Sequence, residues 1–200
     1  MGKQRARTEV FLNLPYDSKF ENRFLGYICA AHAIGLRPRV TLEVPGGARR
    51  LDRIFDLIRG CEFSVHDLSH VKLDNRRPRT PRFNMPFELG LAVAWEKIGQ
   101  GHIWFVMEAM SYRLAKSLSD LNGTDPYIHD GTVEGVFREM GNAFVRRQAA
   151  SVPQMWRIYR EVRKQVGMIV RRCGARSVFE ARTFREISYA ANIAAERIRK

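Results

Sequence analysis

Residues 51–107 read LDRIFDLIRGCEFSVHDLSHVKLDNRRPRTPRFNMPFELGLAVAWEKIGQGHIWFVM. Leu51, Ile54, Phe55 and Ile58 recur at helical spacing and mark one face of a helix that Gly60 closes. Glu62–Asp67 (EFSVHD) then predicts a strand, and Phe87, Leu91, Ala94, Trp95 and Ile98 line the helix that follows. His102–Met107 (HIWFVM) is a near-continuous apolar strand of the kind buried on both faces. A strand, a helix and a further strand in this order make a βαβ unit, and such units build parallel sheets.

The flanks repeat the alternation. Upstream, Glu9–Leu14 (EVFLNL) reads as a strand, and Phe20, Phe24, Tyr27, Ile28 and Ala31 give a helical stripe. Arg39–Val44 reads as the second strand, ended by Pro45-Gly46-Gly47. Downstream come a short helix near Tyr112–Leu118 and a looser strand around Tyr127–His129. Thr132 is placed to cap a helix carrying Val136, Phe137, Met140 and Phe144. The fold class is therefore α/β, a doubly wound parallel sheet sandwiched by helices, with ligands expected at the carboxyl ends of the strands.

Residues 149–200 read as a helical extension to an α/β domain spanning residues 1–148. Met155, Tyr159, Val162, Val166, Ile169 and Cys173 form a heptad-like stripe suited to a helix–helix seam. Gly174 breaks that helix, and Ser177-Val-Phe-Glu180 reads as a capping box opening a last helix with the stripe Ile187, Ala190, Ala191, Ala194 and Ile198. The seam predicts a homo-oligomer through the C-terminal helices.

Composition narrows the classes. The chain carries a formal charge of +13, but residues 146–200 hold 14 Lys+Arg against 4 Asp+Glu and so account for +10 of it. This disfavours a whole-surface nucleic-acid binder and leaves open a basic tail that meets a polyanion or an acidic partner; Trp156, Tyr159, Phe179 and Phe184 of the tail fall at core spacing, so nucleic acid ranks behind a small molecule as partner. No apolar run approaches the ~18 residues of a membrane span. Cys29, Cys61 and Cys173 are scattered and odd in number, which argues against a disulfide framework or zinc finger and for a reducing cytoplasm. His66, Asp67 and His70 in a strand–turn context lack ligand geometry, so no metal is expected.

The residues after the strands are the chemical candidates. Asn13, Tyr16 and Asp17 follow the first strand, although Pro15-Tyr16-Asp17-Ser18 is equally good turn and cap chemistry. Asp67 and Ser69 follow the third. Then comes Asn84-Met85-Pro86-Phe87-Glu88-Leu89-Gly90-Leu91-Ala92, where Pro86 suits a first helical turn with Asn84 or Met85 at the cap. Glu88 is expected in that first turn, where the helix dipole by itself favours a carboxylate.

Asp67-Leu68-Ser69, a loop, and then Asn84-Met-Pro-Phe-Glu-Leu-Gly-Leu-Ala resembles the nucleoside 2-deoxyribosyltransferase-like family and its TIR-like relatives, over roughly residues 9–145. The resemblance implies a flavodoxin-like sheet and chemistry at the N-glycosidic bond of a nucleoside, nucleotide or NAD. It implies Glu88 as the catalytic carboxylate, with Asp67 at the matching strand end as a second acid, and no cofactor beyond the NAD or nucleotide substrate. Asn13, Tyr16, Asp17, Ser69, Arg82 and Asn84 are then the substrate-binding candidates. The loop from His70 to Phe83 carries Lys72, Arg76, Arg77, Arg79 and Arg82, whose guanidinium forks suit phosphate. The expected activity is cleavage or transfer at that bond, with a role as an effector of bacterial antiphage defence; the competing expectation is a TIR-like module that senses nucleotide or binds a partner without turnover.

Overall fold

Five strands, β1 (Glu9–Asn13), β2 (Arg37–Arg39), β3 (Phe63–Asp67), β4 (Ile103–Glu108) and β5 (Tyr127–Ile128), pair in parallel in the order β2-β1-β3-β4-β5. This is the flavodoxin-like order, and the switch point lies between β1 and β3. A computed structural model describes residues 9–43, 49–70, 77–78, 83–99, 101–145 and 150–199. The helices are α1 (Glu21–Ala33), α2 (Arg50–Gly60), α3 (Asn84–Lys97), α4 (Arg113–Ser117), α5 (Val133–Ala143), α6 (Val152–Arg172) and α7 (Ala181–Arg199).

Strand alternation divides the core. Val10, Leu12, Phe63, Val65 and Met107 face α1, α5, α6 and α7 in one large apolar cluster. Phe11 faces the other way onto Ile54, Leu57, Ile58 and Ala92 of α2 and α3, and Val106 meets Leu89 and Leu114. On the thick side, every residue of α1 from Phe24 to Ala33 is buried. A helix wrapped by a sheet beneath and by further helices above has no solvent face.

The C-terminal helices belong to this same core. Met155, Tyr159, Val162, Val166 and Ile169 are buried together with Phe184, Ile187, Ala191 and Ala194, in one cluster with α1 and the sheet. The heptad-like stripe is thus consumed inside the chain. It forms an α6–α7 hairpin laid on α1 and leaves no seam of these residues for a second copy.

Other expectations shift for local reasons. β2 starts at Arg37 and ends at Arg39, where the expected strand began, because Glu43 turns the chain at Thr41–Glu43: its carboxylate accepts from the Val40 N–H at 3.0 Å and from Arg39 Nε at 3.1 Å. β4 is not buried along its length, since Ile103 is 47% exposed. Its neighbour β5 pairs only with Met107 and Glu108, so the first half of β4 is an edge. Thr132 does cap α5, accepting from the Gly135 N–H at 2.9 Å. Ser177 and Glu180 act one turn before α7, accepting from the Phe179 and Arg176 N–H groups.

Candidate active site

Asn13 ends β1, and Glu88 reaches the same side of the sheet from α3. The helix starts at Asn84 with Phe83 before it, so Glu88 is its fifth residue and not in the first turn. Pro86 is tolerated because the first N–H groups of a helix have no intrahelical acceptor. Neither Asn84 nor Met85 caps the helix: Phe83 holds that position without a side-chain bond, and Asn84 is exposed. The expected apolar face is also rotated. Glu88, Leu89 and Ala92 are the buried residues of α3, whereas Phe83, Phe87 and Ile98 are 63%, 57% and 63% exposed.

A buried carboxylate beside exposed phenylalanines inverts the ordinary pattern. Glu88 is 3% exposed. Its Oε1 lies 3.4 Å from Nη2 of Arg50, at the start of α2, and Oε2 has no hydrogen-bond partner among the described residues. Burial raises the Glu88 pKa above the ordinary carboxylate value, with the Arg50 charge and the Asn13 amide pulling the other way. Tyr16 feels the charges of the same pair from a distance. Its hydroxyl meets Thr41 Oγ1 at 2.8 Å, and burial pushes its pKa up to about 12 against the opposing pull of Thr41 and Arg50.

Behind Asn13 runs a buried polar chain. The Asn13 amide Nδ2 donates to His66 Nδ1 at 3.0 Å, His66 Nε2 meets Ser64 Oγ at 2.9 Å, and Ser64 Oγ meets His102 Nε2 at 2.8 Å. His102 Nδ1 ends the chain 3.0 Å from the Cys61 carbonyl. A carbonyl can only accept, so His102 carries its proton on Nδ1, Ser64 donates to His102 Nε2, and His66 donates from Nε2 to Ser64. Every tautomer follows from that one end, and both histidines are neutral. Burial, reinforced by His102, drives the His66 pKa down to about 3. The chain fixes which way the Asn13 amide points, beside Glu88.

Asp67 lies on the opposite face. It shares the parity of Phe63 and Val65, points toward α1, and is fully buried. Tyr27 donates to Oδ2 at 2.8 Å and the Ser69 N–H to Oδ1 at 2.8 Å. His129 Nδ1 accepts from the Gly131 N–H at 3.0 Å, so its proton sits on Nε2, 3.2 Å from Asp67 Oδ2 but without the alignment of a full hydrogen bond. Burial alone would raise the Asp67 pKa. His129 and Ser69 outweigh it and hold the carboxyl below its usual value. The second acid expected next to Glu88 is therefore a carboxylate with both oxygens engaged in the protein.

The remaining candidates separate in the same way. Asp17 caps a short 3₁₀ turn, accepting from the Lys19 N–H at 2.8 Å, with His70 Nε2 at 3.6 Å. Ser69 Oγ accepts from Arg23 at 3.3 Å. Arg82, like Lys72, Arg76 and Arg79 of the basic loop, lies outside the described residues. The structure thus brings Asn13 beside Glu88 and adds Arg50, Ser64, His66 and His102 behind or beside them, while Tyr16 turns its hydroxyl to Thr41 and its ring to Phe24 and Phe179. Polar Ser64 and His66 on alternate positions of an otherwise apolar strand were the signal for that chain. Among the described residues, no group of three His, Cys, Asp or Glu side chains is placed to hold a metal, and no helix is long and apolar enough to cross a membrane. Compared with family models, with curated proteins and with solved structures, the chain finds no match.

Proposed function

We propose that the chain is an enzyme acting on the N-glycosidic bond of a nucleotide or NAD-like substrate, with Glu88 as the catalytic carboxylate. The observation that carries the reading is the buried, half-unpartnered Glu88 carboxylate beside an oriented amide, at the carboxyl edge of a parallel sheet. Burying a carboxylate oxygen without a donor costs free energy. A ligand hydroxyl or a developing positive centre would satisfy it.

The chemistry follows from the carboxylate. As the C1′–N bond breaks, its electron pair leaves with the base and positive charge grows on C1′ and the ring oxygen. Glu88 stabilises that centre, or bonds to C1′ until water or another base displaces it. Asn13, held by His66, donates toward a ribose hydroxyl or Glu88 itself. The exposed rings of Phe83 and Phe87 on the same helix end offer a stacking surface for the base. A part in bacterial antiphage defence belongs to the same reading and rests on the family resemblance.

The test is incubation of the full chain with NAD, ribonucleotides and deoxynucleosides, with released base read by chromatography. We expect one class to be turned over and Glu88→Gln to reduce turnover at least about a thousandfold while melting near wild type. A fully active Glu88→Gln protein removes Glu88 from the chemistry. Saturable binding without release in the wild type would favour a sensing module.

A further inference from the structure

A second site lies at the opposite edge of the sheet. α1 begins near the carboxyl ends of the strands and runs back, so its last turn, and Arg37 at the start of β2, lie at the amino edge. There a cavity of about 440 Å³ opens between α1, β2 and α7. That volume falls in the range of small-molecule pockets. α7 turns two stripes to its surroundings. Ile187, Ala191 and Ala194 enter the core, while Arg185, Ser188, Asn192 and Arg199 line the cavity with Tyr189 beside them.

The lining is cationic and largely uncommitted. Arg185 and Arg199 have no carboxylate within ion-pair distance among the described residues, and Arg37 holds Glu9 only at 3.4 Å. The one acid in the wall, Glu43, is occupied by Arg39 and the Val40 N–H. Tyr189 is 67% exposed, an aromatic ring left at the rim. Buried His32 closes the floor, its Nε2 2.8 Å from Ser188 Oγ. Burial, then the charges of Arg199 and Arg37, bring the His32 pKa down to about 4, so the positive field reaches the floor while the imidazole stays neutral.

We infer that this cavity binds a free nucleoside polyphosphate, its phosphates on Arg37, Arg185 and Arg199 and its base on Tyr189, as a site separate from the Glu88 crevice. Arginine forks match phosphate oxygens and an exposed tyrosine supplies a stacking face. Ser188 Oγ, already paired with His32, and the amide oxygen of Asn192, whose Nδ2 donates to Glu196 Oε1 at 2.8 Å, lie one turn apart and keep acceptor capacity for ribose hydroxyls. The assignment does not depend on the reaction proposed for Glu88.

Calorimetric titration of the full-length Glu88→Gln protein with ATP, pyrophosphate and adenosine tests it, the substitution keeping the probe intact. ATP should bind saturably, pyrophosphate more weakly and adenosine weakest, with ATP-dependent hydrogen-exchange protection in residues 181–199. Arg185→Gln and Arg199→Gln should each weaken ATP about tenfold, and Tyr189→Ala about fivefold. Arg185 and Tyr189 point outward, so those two variants report on binding even if Arg199→Gln melts early. No saturable ATP binding up to about 1 mM, or binding that all three variants leave unchanged, overturns the site. A single-stranded oligonucleotide that displaces ATP at lower concentration overturns the small-molecule assignment.

Discussion

The two faces of the sheet are built on different terms. The face under α1, α5, α6 and α7 holds one continuous apolar cluster, and its main polar group, Asp67, has both oxygens engaged. The face under α2 and α3 holds two small clusters, a chain of neutral histidines and a carboxylate oxygen with no partner. Apolar burial is concentrated on the first face, where His129 Nε2 and Thr183 Oγ1, which lack a full hydrogen bond among the described residues, belong to neutral groups, whereas on the second a carboxylate oxygen of Glu88 lacks one. A sheet anchored so heavily on one side can carry an energetically unfavourable group on the other.

Removing residues 150–200 breaks the comparison at its strongest point. Each fully buried apolar side chain contributes about 1.5–3 kcal/mol, so losing Met155, Ile158, Val162, Val166, Phe184 and Ile187 together removes an amount comparable to the whole ~5–15 kcal/mol by which domains are stable. The truncated chain should lose near-ultraviolet dichroism and a cooperative melt. A cooperative melt close to that of the full chain would make α6 and α7 a true appendage.

Reading residues 149–200 as an appendage came from a real stripe whose partner lay elsewhere. A heptad spacing records that a helix buries one side, and says nothing of whether the cover is a second copy or its own α1. The strand alternation was more informative than the motif it led to. Phe63, Val65 and Asp67 share a parity that Ser64 and His66 do not, so Asp67 and the Asn13–His66 pair were separable from sequence alone. On α3 no such rule applied. NMPFELGLAVAW is apolar nearly all round, so it has no phase to read, and the buried face fell on Glu88, Leu89 and Ala92. The strand order β2-β1-β3-β4-β5 agrees with the flavodoxin-like expectation because each crossover is right-handed and helical in such sheets.

Asp67→Asn gives the middle effect. The substitution leaves Tyr27 and the Ser69 N–H facing a neutral amide, one of whose ends donates and does not accept. A loss of about 1–3 kcal/mol is expected from such a buried mismatch. The pH dependence has a definite sign. Asp67 has its folded pKa below the unfolded one, so its stabilisation is present above the ordinary aspartate range and is lost as pH falls through the folded value. Denaturant titrations should show wild type and Asp67→Asn well apart at pH 7 and converging in acid. An Asp67→Asn protein as stable as wild type but without turnover would instead make Asp67 part of the chemistry.

Glu88→Gln should give the smallest stability change, with the opposite sign. Its carboxyl is raised by burial, so ionisation is easier in the unfolded chain than in the folded one. That difference is absent below the ordinary glutamate range, grows as pH rises, and is complete above the raised folded value. Glutamine keeps the size and removes the charge. Relative to wild type, Glu88→Gln should therefore be slightly more stable at pH 7 and lose that advantage on acidification, the mirror of Asp67→Asn. Arg50 takes little from the gain: it is 55% exposed, so solvent screens its pairing with Glu88 and little is lost when the partner becomes neutral. Thermal melts at pH 4 and pH 7 read the effect directly. If Glu88→Gln is instead destabilised at pH 7 as strongly as Asp67→Asn, Glu88 is a structural partner of Arg50 and Asn13, and both faces of the sheet are held together by the same kind of contact.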